Sequence, residues 1–285
     1  MKKVQTGQVI EFYSNSCLVK TKVGEFSCIA IKNVVVGDYV DVEIIQDSKR
    51  PYGKILKINE RVSKISKVIN NKEKLFAANV THVGILVTPS PKTSSEFIDK
   101  WIIKSKISKL KPFIINNKID IDQDSKYLEK LNIYKNLNIK IINISAKYEE
   151  NINELLKFLE YKSVLFVGNS GAGKSTLTSK IIKKDLKVST LSNNQGVHTT
   201  SISSLYELDQ KIKIIDSPGM RDIQLSNYSK NQITEGFEEI FQAAKDCKFN
   251  NCNHIDNDGC NIVKCLLHGE ISKSRYNNFI KLIEK

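Results

Sequence analysis

Residues 164–176 combine an apolar run with a glycine-rich loop that is suited to binding phosphate. The run VLFV leads into Gly168-Asn169-Ser170-Gly171-Ala172-Gly173-Lys174-Ser175-Thr176, which fits the pattern GxxxxGK[ST] at every fixed position. Glycines let successive backbone N–H groups face a phosphate, and Lys174 can then reach the β- and γ-phosphates. Ser175 stands in the first turn of the following helix, where its hydroxyl can ligate Mg²⁺. The order of strand, loop and helix therefore predicts a nucleoside triphosphate site.

Two short motifs at the ends of other apolar runs predict that the base is guanine. One run ends in Asn117-Lys118-Ile119-Asp120, and another ends in Ser145-Ala146-Lys147. The Asp120 carboxylate can accept hydrogen bonds from both N1–H and the N2 amine of guanine, a pair of donors that adenine does not offer. Asn117 would tie this loop to the phosphate loop, and Lys118 would lie over the ring. The backbone N–H of Ala146 would contact the guanine carbonyl.

A third motif, Asp216-Ser217-Pro218-Gly219, follows the apolar run at residues 211–215 and predicts contacts to the magnesium ion and the γ-phosphate. Asp216 would hold a Mg²⁺-bound water, and the Gly219 N–H would meet the γ-phosphate. Either Thr199 or Thr200 would supply a switch contact to Mg²⁺ in addition to Ser175. We favour Thr200 as this magnesium ligand.

The residue that orients the attacking water in Ras-like enzymes is absent from its usual place. Those enzymes have a glutamine directly after the DxxG glycine, whereas this chain has Met220, which makes no useful hydrogen bond. Slow intrinsic hydrolysis is therefore expected. His198, in the stretch that would form switch I, is the candidate catalytic residue within the chain. The alternative is that His198 is exposed to solvent or contacts RNA.

Residues 247–260 contain a set of metal-ligating side chains. Cys247, Cys252, His254 and Cys260 offer three thiolates and one imidazole, a closed donor set suited to one tetrahedral structural zinc ion. The alternatives are scattered buried cysteines, or Cys265 as the fourth ligand. The asparagines and aspartates between these positions cannot build a core, so the metal would supply the local stability.

The surrounding pattern predicts which elements position these motifs. Short strand-like runs in the N-terminal region fit a small barrel of the OB type, which often binds RNA, although a purely architectural barrel is the alternative. From about residue 75 strands alternate with helices, which is typical of a parallel sheet covered by helices. The C-terminal region is helical in pattern. The predicted strands are 7–13, 17–21, 25–30, 36–44, 54–58, 83–88, 112–115, 139–144, 164–167 and 211–215, and the predicted helices are 96–110, 125–137 and 152–159.

Composition adds an expectation about partners and location. The 285 residues include 44 Lys+Arg and 31 Asp+Glu, a net charge of +13, which suggests a polyanionic partner such as RNA or an anionic membrane. An AT-rich genome that favours Lys, Asn and Ile codons is the alternative explanation. No N-terminal signal or bilayer-spanning apolar run is evident, so we expect a cytoplasmic protein in which free thiols persist.

The order of the motifs is that of a circular permutation, because the NKxD and SAK motifs precede the P-loop. In this order, and with its cysteine cluster, the chain resembles over essentially its whole length the RsgA/YjeQ family of GTPases of small ribosomal subunit biogenesis. The resemblance implies a cytoplasmic, ribosome-dependent GTPase that acts late in maturation of the small subunit and contacts its rRNA. It also favours His254 over Cys265 as the fourth zinc ligand. The family pattern GRHTT has Val197 in place of its arginine here, which removes any phosphate or rRNA contact of that side chain.

These observations together predict a multidomain protein. We expect an OB-like β-barrel at residues 1–66, a circularly permuted α/β GTPase domain at 67–230 and a zinc-binding, mainly α-helical domain at 231–285. The protein is expected to be a monomer that binds GTP or GDP with Mg²⁺, holds one zinc ion and makes no membrane contact. The rival interpretations are a P-loop kinase or other metabolic enzyme, and a GTP-independent RNA-binding or structural module that keeps its nucleotide site as a scaffold. The kinase leaves the NKxD, SAK and cysteine motifs unexplained.

Overall fold

The computed structural model describes residues 3–46, 51–69, 72–188, 203–209, 211–216, 223–249, 251–255 and 258–284. The N-terminal part is a β-barrel whose strand order is β1-β2-β3-β5-β4, with β4 pairing back onto β1 to close it. This is the closed order of an OB barrel. Its interior is filled by alternating apolar side chains, and Val9, Val19, Val40 and Val42 are fully buried. The strands are β1 (Lys3–Phe12), β2 (Ser16–Thr21), β3 (Gly24–Ile29), β4 (Tyr39–Ile45) and β5 (Tyr52–Ile58).

A hairpin that the sequence pattern did not indicate connects the barrel to the rest of the chain. It consists of β6 (Lys64–Ile69) and β7 (Lys72–Ala78), which pair antiparallel. Ala78 N–H donates to Val36 O at 3.0 Å, which fixes the end of the hairpin to the barrel. Arg61, just before the hairpin, donates from Nε and Nη2 to the buried Asp38 carboxylate at 2.6 and 2.8 Å.

The central part is an α/β layer whose sheet has the order β10-β9-β8-β11-β13-β12. Neighbours from β10 to β13 are parallel, and β12 is antiparallel to β13. Strand β11 is buried along its whole length because helices cover both faces of a parallel sheet, which is why it reads as a continuous apolar run. The strands are β8 (His82–Val87), β9 (Lys111–Asn117), β10 (Ile141–Ile144), β11 (Ser163–Gly168), β12 (Ser203–Leu208) and β13 (Ile212–Asp216), and the helices are α1 (Ser95–Ile107), α2 (Ser125–Asn136), α3 (Ile152–Leu159) and α4 (Lys174–Val188).

Strand β12 makes the barrel and the central sheet continuous. Its first residues pair antiparallel with the end of β1, with Ser204 opposite Glu11 and Ser203 opposite Phe12. Lys20 of the barrel also forms an ion pair with Glu207 of β12 at 2.8 Å. No strand was predicted for residues 203–208, because the sequence pattern before β13 is weak.

The C-terminal helices pack on α1 of the central layer. Gly236 is needed at the contact, because a Cβ at this position would lie 2.6 Å from Ile103 Cγ2. Trp101 of α1 is fully buried and belongs to one core cluster with Phe237 and Phe279, whose rings meet edge to face. The helices are α5 (Lys230–Gly236), α6 (Glu238–Ala244), α7 (Asn261–Leu267) and α8 (Lys273–Ile283). A bilayer-spanning helix is not found in the described part of the chain. The domain limits at 66/67 and 230/231 stay predictions.

Candidate nucleotide site and metal centre

The predicted nucleotide motifs lie at one edge of the central sheet. Strands β9, β10, β11 and β13 are parallel, so their carboxyl ends meet at the same edge. The guanine motif follows β9, the Ser-Ala-Lys motif follows β10 and the phosphate loop follows β11. Asp216 is the last residue of β13. Ligands of open parallel sheets bind at this edge, outside the strand ends.

The phosphate loop has the backbone conformation that its glycines permit. Gly171 and Gly173 have φ angles of +76° and +87°, in the left-handed region that favours glycine. A Cβ at Gly173 would also lie 2.4 Å from Asn117 Nδ2, so the glycine allows the guanine loop to approach. Helix α4 starts at Lys174, with Ser175 and Thr176 exposed in its first turn. A glycine-rich loop that opens a helix in this way provides N–H groups and a favourable dipole for a phosphate.

Asn117 joins the phosphate loop to both loops that were assigned to the base. Its Nδ2 donates to Ala172 O at 2.9 Å, and its Oδ1 accepts from Ala146 N–H at 3.0 Å. The side chain is almost completely buried. The Ala146 N–H was expected to meet a guanine carbonyl, and here it donates to Asn117 instead. A guanine carbonyl at this position would share that N–H with Asn117.

The two charged residues of the guanine motif are each held by a specific partner. Asp120 is exposed, and its Oδ1 accepts from the Ser145 hydroxyl at 2.6 Å. Lys118 has a φ of +66°, and its ammonium group donates to the carbonyl oxygen of Ser90 at 2.7 Å. Ile119 N–H donates to Ile144 O at 3.2 Å, which holds the motif against the end of β10.

Lys174 and Asp216 form an ion pair between the phosphate loop and the end of β13. Lys174 Nζ lies 2.6 Å from Asp216 Oδ1, and the two side chains are 15% and 19% exposed. The two residues predicted to meet the phosphates and the magnesium-bound water are therefore adjacent.

The structure brings the four predicted metal ligands together. The ligand atoms of Cys247, Cys252, His254 and Cys260 all lie within 4.8 Å of one another. His254 Nδ1 is 3.8 Å from Sγ of both Cys247 and Cys260. Tetrahedral zinc with sulfur at about 2.3 Å and nitrogen at about 2.0 Å requires ligand separations of roughly 3.6–3.8 Å. The donor set fits zinc, and the two separations from His254 Nδ1 to a thiol match those of a tetrahedral site.

The surroundings of this cluster shift the pKa values of two of its ligands in ways that bear differently on metal binding. Burial lowers the pKa of His254, which keeps the imidazole neutral and able to ligate through Nδ1. Burial, and to a lesser extent the neighbouring thiols, raise the pKa of Cys260 to about 11, so this group is a protonated thiol unless a bound cation displaces the proton. Tyr276 of α8 donates from its hydroxyl to His254 O at 2.7 Å. Among the described residues, Cys265 does not belong to the cluster.

Comparison with known proteins identifies the family. A family model described as RsgA GTPase matches residues 58–226, which is more than half of the chain. The chain belongs to the RsgA GTPase family. It is therefore a GTP-hydrolysing enzyme, and Mg²⁺ accompanies GTP in such enzymes.

Two curated proteins show how far the RsgA likeness extends, and both are named small ribosomal subunit biogenesis GTPase RsgA. The protein of Flavobacterium psychrophilum is 32% identical over 281 residues, covering 94% of this chain and 85% of its own length. The protein of Haemophilus influenzae (strain PittGG) is 33% identical over 292 residues, covering 98% of this chain and 84% of its own length.

Solved structures confirm the permuted fold. The crystal structure of YjeQ from Thermotoga maritima is 26% identical, with a TM-score of 0.75, and the match covers 99% of this chain and 98% of that one. YloQ, described as a circularly permuted GTPase, has a TM-score of 0.71 at 17% identity, and the match covers 99% of this chain and 94% of YloQ. At this identity the match shows the fold alone. The OB-like barrel, the permuted α/β layer and the C-terminal helices predicted for an RsgA-type protein are thus confirmed.

Several residues predicted for the catalytic part of the RsgA site lie outside the described residues. His198, Thr199 and Thr200 lie within residues 189–202, and Gly219 and Met220 lie within residues 217–222. Their assignments stay predictions, as do the roles of the other site residues in binding GTP.

A buried ionic cluster between α1, α6 and α8 was not anticipated from the sequence. Arg275 of α8 donates to Asp99 of α1 at 2.6 Å and to both carboxylate oxygens of Glu239 of α6 at 2.7 and 2.9 Å. Asp99 also accepts from the Tyr134 hydroxyl at 2.8 Å and from Asn278 Nδ2 at 2.6 Å. The signal in the sequence was Asp99, a single aspartate in the mostly apolar stretch 97–103 of a predicted helix.

Proposed function

We propose that this RsgA-family GTPase binds the small ribosomal subunit, acts late in its maturation and hydrolyses GTP to GDP and phosphate when the subunit is bound. The observation that carries the proposal is the position of Asn117, whose side chain bridges the phosphate loop and the Ser-Ala-Lys loop. This bridge supports the proposal because it ties the loop that carries Asp120 to the glycine-rich loop. The curated relatives, which the chain matches over most of their length, are named for small-subunit biogenesis.

The same arrangement supports our assignment of the phosphate end of the site. Lys174 would bind the β- and γ-phosphates, Ser175 would ligate Mg²⁺, and Asp216 would hold a water bound to that ion. The ion supplies charge neutralisation for the phosphates when it is bound. Because Lys174 and Asp216 pair with each other, binding of the magnesium nucleotide exchanges this ion pair for contacts to phosphate and to the ion's water shell. Thr200 and Gly219 would complete the contacts.

The cysteine cluster would hold one structural zinc ion. Its three thiol groups and one imidazole have the spacing of a tetrahedral site, and all four positions are taken by protein ligands. The zinc would stabilise the segment between α6 and α7, which has little apolar content of its own. Tyr276 attaches this segment to α8.

The charge of the chain supports rRNA of the small subunit as the polyanionic partner. A net charge of +13 favours phosphate contacts, and an OB barrel is a fold that often binds RNA. The proposed location is the cytoplasm, and the proposed form is a monomer. Binding to the subunit should therefore weaken steeply as salt is raised.

Affinity for purified small subunits tests the proposal. We expect tighter binding with a non-hydrolysable GTP analogue than with GDP, weak binding to large subunits and faster phosphate release when small subunits are added. Equal affinity in all nucleotide states would instead indicate an RNA-binding module that works without GTP. Transfer of the γ-phosphate to a small-molecule acceptor would indicate a P-loop kinase.

A further inference from the structure

The loop at residues 88–93, which follows β8, contacts both nucleotide loops although it belongs to neither motif. The Ser90 carbonyl accepts from Lys118 Nζ at 2.7 Å. The ring of Pro91 lies next to the phosphate loop, since a Cβ at Gly171 would be 3.3 Å from its Cγ and Cδ. The Lys118 side chain therefore runs from the guanine loop to a point beside the phosphate loop.

Internal hydrogen bonds hold this 88–93 loop in one shape. Thr93 N–H donates to Thr88 O at 3.1 Å, and Thr88 N–H donates to Thr93 Oγ1 at 3.0 Å. The Thr88 hydroxyl donates to Pro91 O at 2.7 Å. Thr88 and Thr93 are 0% and 1% exposed, so their partners cannot be replaced by water without opening the loop.

Helix α2 supports the loop from outside. Lys130 Nζ donates to Thr93 O at 2.6 Å and lies over the Tyr127 ring, 4.5 Å from its centroid. The guanine motif and α2, which follows it in the chain, therefore contact the same loop at two different carbonyl groups, those of Ser90 and Thr93.

A lysine side chain has several rotatable bonds, and ordering it when a ligand binds costs conformational entropy. A carbonyl that already holds the ammonium group removes this cost in advance. We propose that the 88–93 loop is a positioning element for guanine-nucleotide affinity, in which Thr88 fixes the Ser90–Pro91 turn so that the Ser90 carbonyl holds Lys118 across the base site. This inference rests on the proposed guanine role of Lys118.

A double-mutant cycle on nucleotide dissociation tests the inference. The four proteins are the parent, Thr88→Val, Lys118→Ala and the double variant, each loaded with a fluorescent GDP analogue. Thr88→Val should speed dissociation roughly 3–10-fold, the effect of one lost hydrogen bond. In the Lys118→Ala background the same change should have almost no effect, because the loop acts through Lys118. Thr88→Ser keeps the hydroxyl and should restore the parental rate.

A matched control is available at the other end of β8. Thr81 also donates from its hydroxyl to a backbone carbonyl, Ser163 O at 3.0 Å, but at the edge of the sheet opposite the motifs. Thr81→Val should leave nucleotide dissociation unchanged. If Thr88→Val does not fold, Lys130→Met removes the bond to Thr93 O and enters the same cycle.

The outcomes separate this inference from the proposed function. Additive effects of Thr88→Val and Lys118→Ala, or no effect of Thr88→Val, would overturn the role of the loop while leaving GDP binding intact. A parent protein that fails to bind GDP would overturn the proposed function, and with it the inference. Non-additive effects with rescue by Thr88→Ser would support both.

Discussion

Replacement of Arg275 with methionine should strongly destabilise the junction between α8 and α1. Arg275 is 2% exposed, Asp99 is 0% exposed and Glu239 is 14% exposed, so the change leaves two carboxylates without their cation in a site that water hardly reaches. Breaking a buried pair in this way typically costs about 3–5 kcal/mol. The guanidinium also lies over the Phe237 ring at 4.4 Å, a contact that methionine only partly replaces.

Urea denaturation followed by fluorescence of Trp101, the one tryptophan of the chain, measures this cost. Trp101 is fully buried on α1, two residues from Asp99. Lys281→Met is the matched control, because Lys281 lies on the same helix and pairs with Glu96 while remaining 52% exposed. An exposed pair of this kind contributes at most about 1 kcal/mol. Equal losses of unfolding free energy in Arg275→Met and Lys281→Met would refute the assignment of Arg275 as the centre of the junction.

The pH dependence gives a second check on Arg275. Burial raises the pKa of Asp99 above its ordinary value, and Arg275 acts in the opposite direction. Loss of Arg275 should raise this pKa further. The folded state of the variant then binds a proton that the unfolded state releases, so its stability falls as pH rises between the two pKa values. The loss of unfolding free energy caused by Arg275→Met should be larger at pH 8 than at pH 5.5. Adding Asp99→Asn to the same chain should restore part of this stability.

Three further changes test the nucleotide and metal assignments. Asp120→Asn reverses one hydrogen-bond requirement and should shift preference from guanine toward xanthine nucleotides; unchanged GTP affinity in a nucleotide-binding assay would contradict the base assignment. Cys252→Ser should release about one zinc ion per chain, measured by metal analysis, and unfold the segment between α6 and α7 with nucleotide affinity nearly unchanged; a parent purified without chelator that contains no zinc would contradict it. His198→Ala should bind GTP and subunits normally but lose roughly 10²–10⁴-fold of the stimulated rate of phosphate release, whereas a parental rate would make His198 a bystander.

The sequence by itself determined the motifs and most of the elements that carry them. The phosphate loop can be recognised because its glycines, lysine and serine lie at fixed spacings within residues 168–175. The predicted helix at residues 152–159 matches α3, Ile152–Leu159. The order of the motifs along the chain was enough to indicate the permutation. These features depend on local backbone preference and on apolar periodicity, which neighbouring residues encode.

Only the tertiary structure decided which distant groups meet. The pairing of β12 with β1, the bond from Lys118 to Ser90 and the cluster around Arg275 join residues far apart in sequence, and periodicity carries no information about such contacts. The cysteine spacing left Cys265 open as a ligand, and the fold excludes it from the cluster by placing His254 Nδ1 between two thiols. Arg275 reads as an ordinary surface residue of a polar helix until packing against α1 removes it from water.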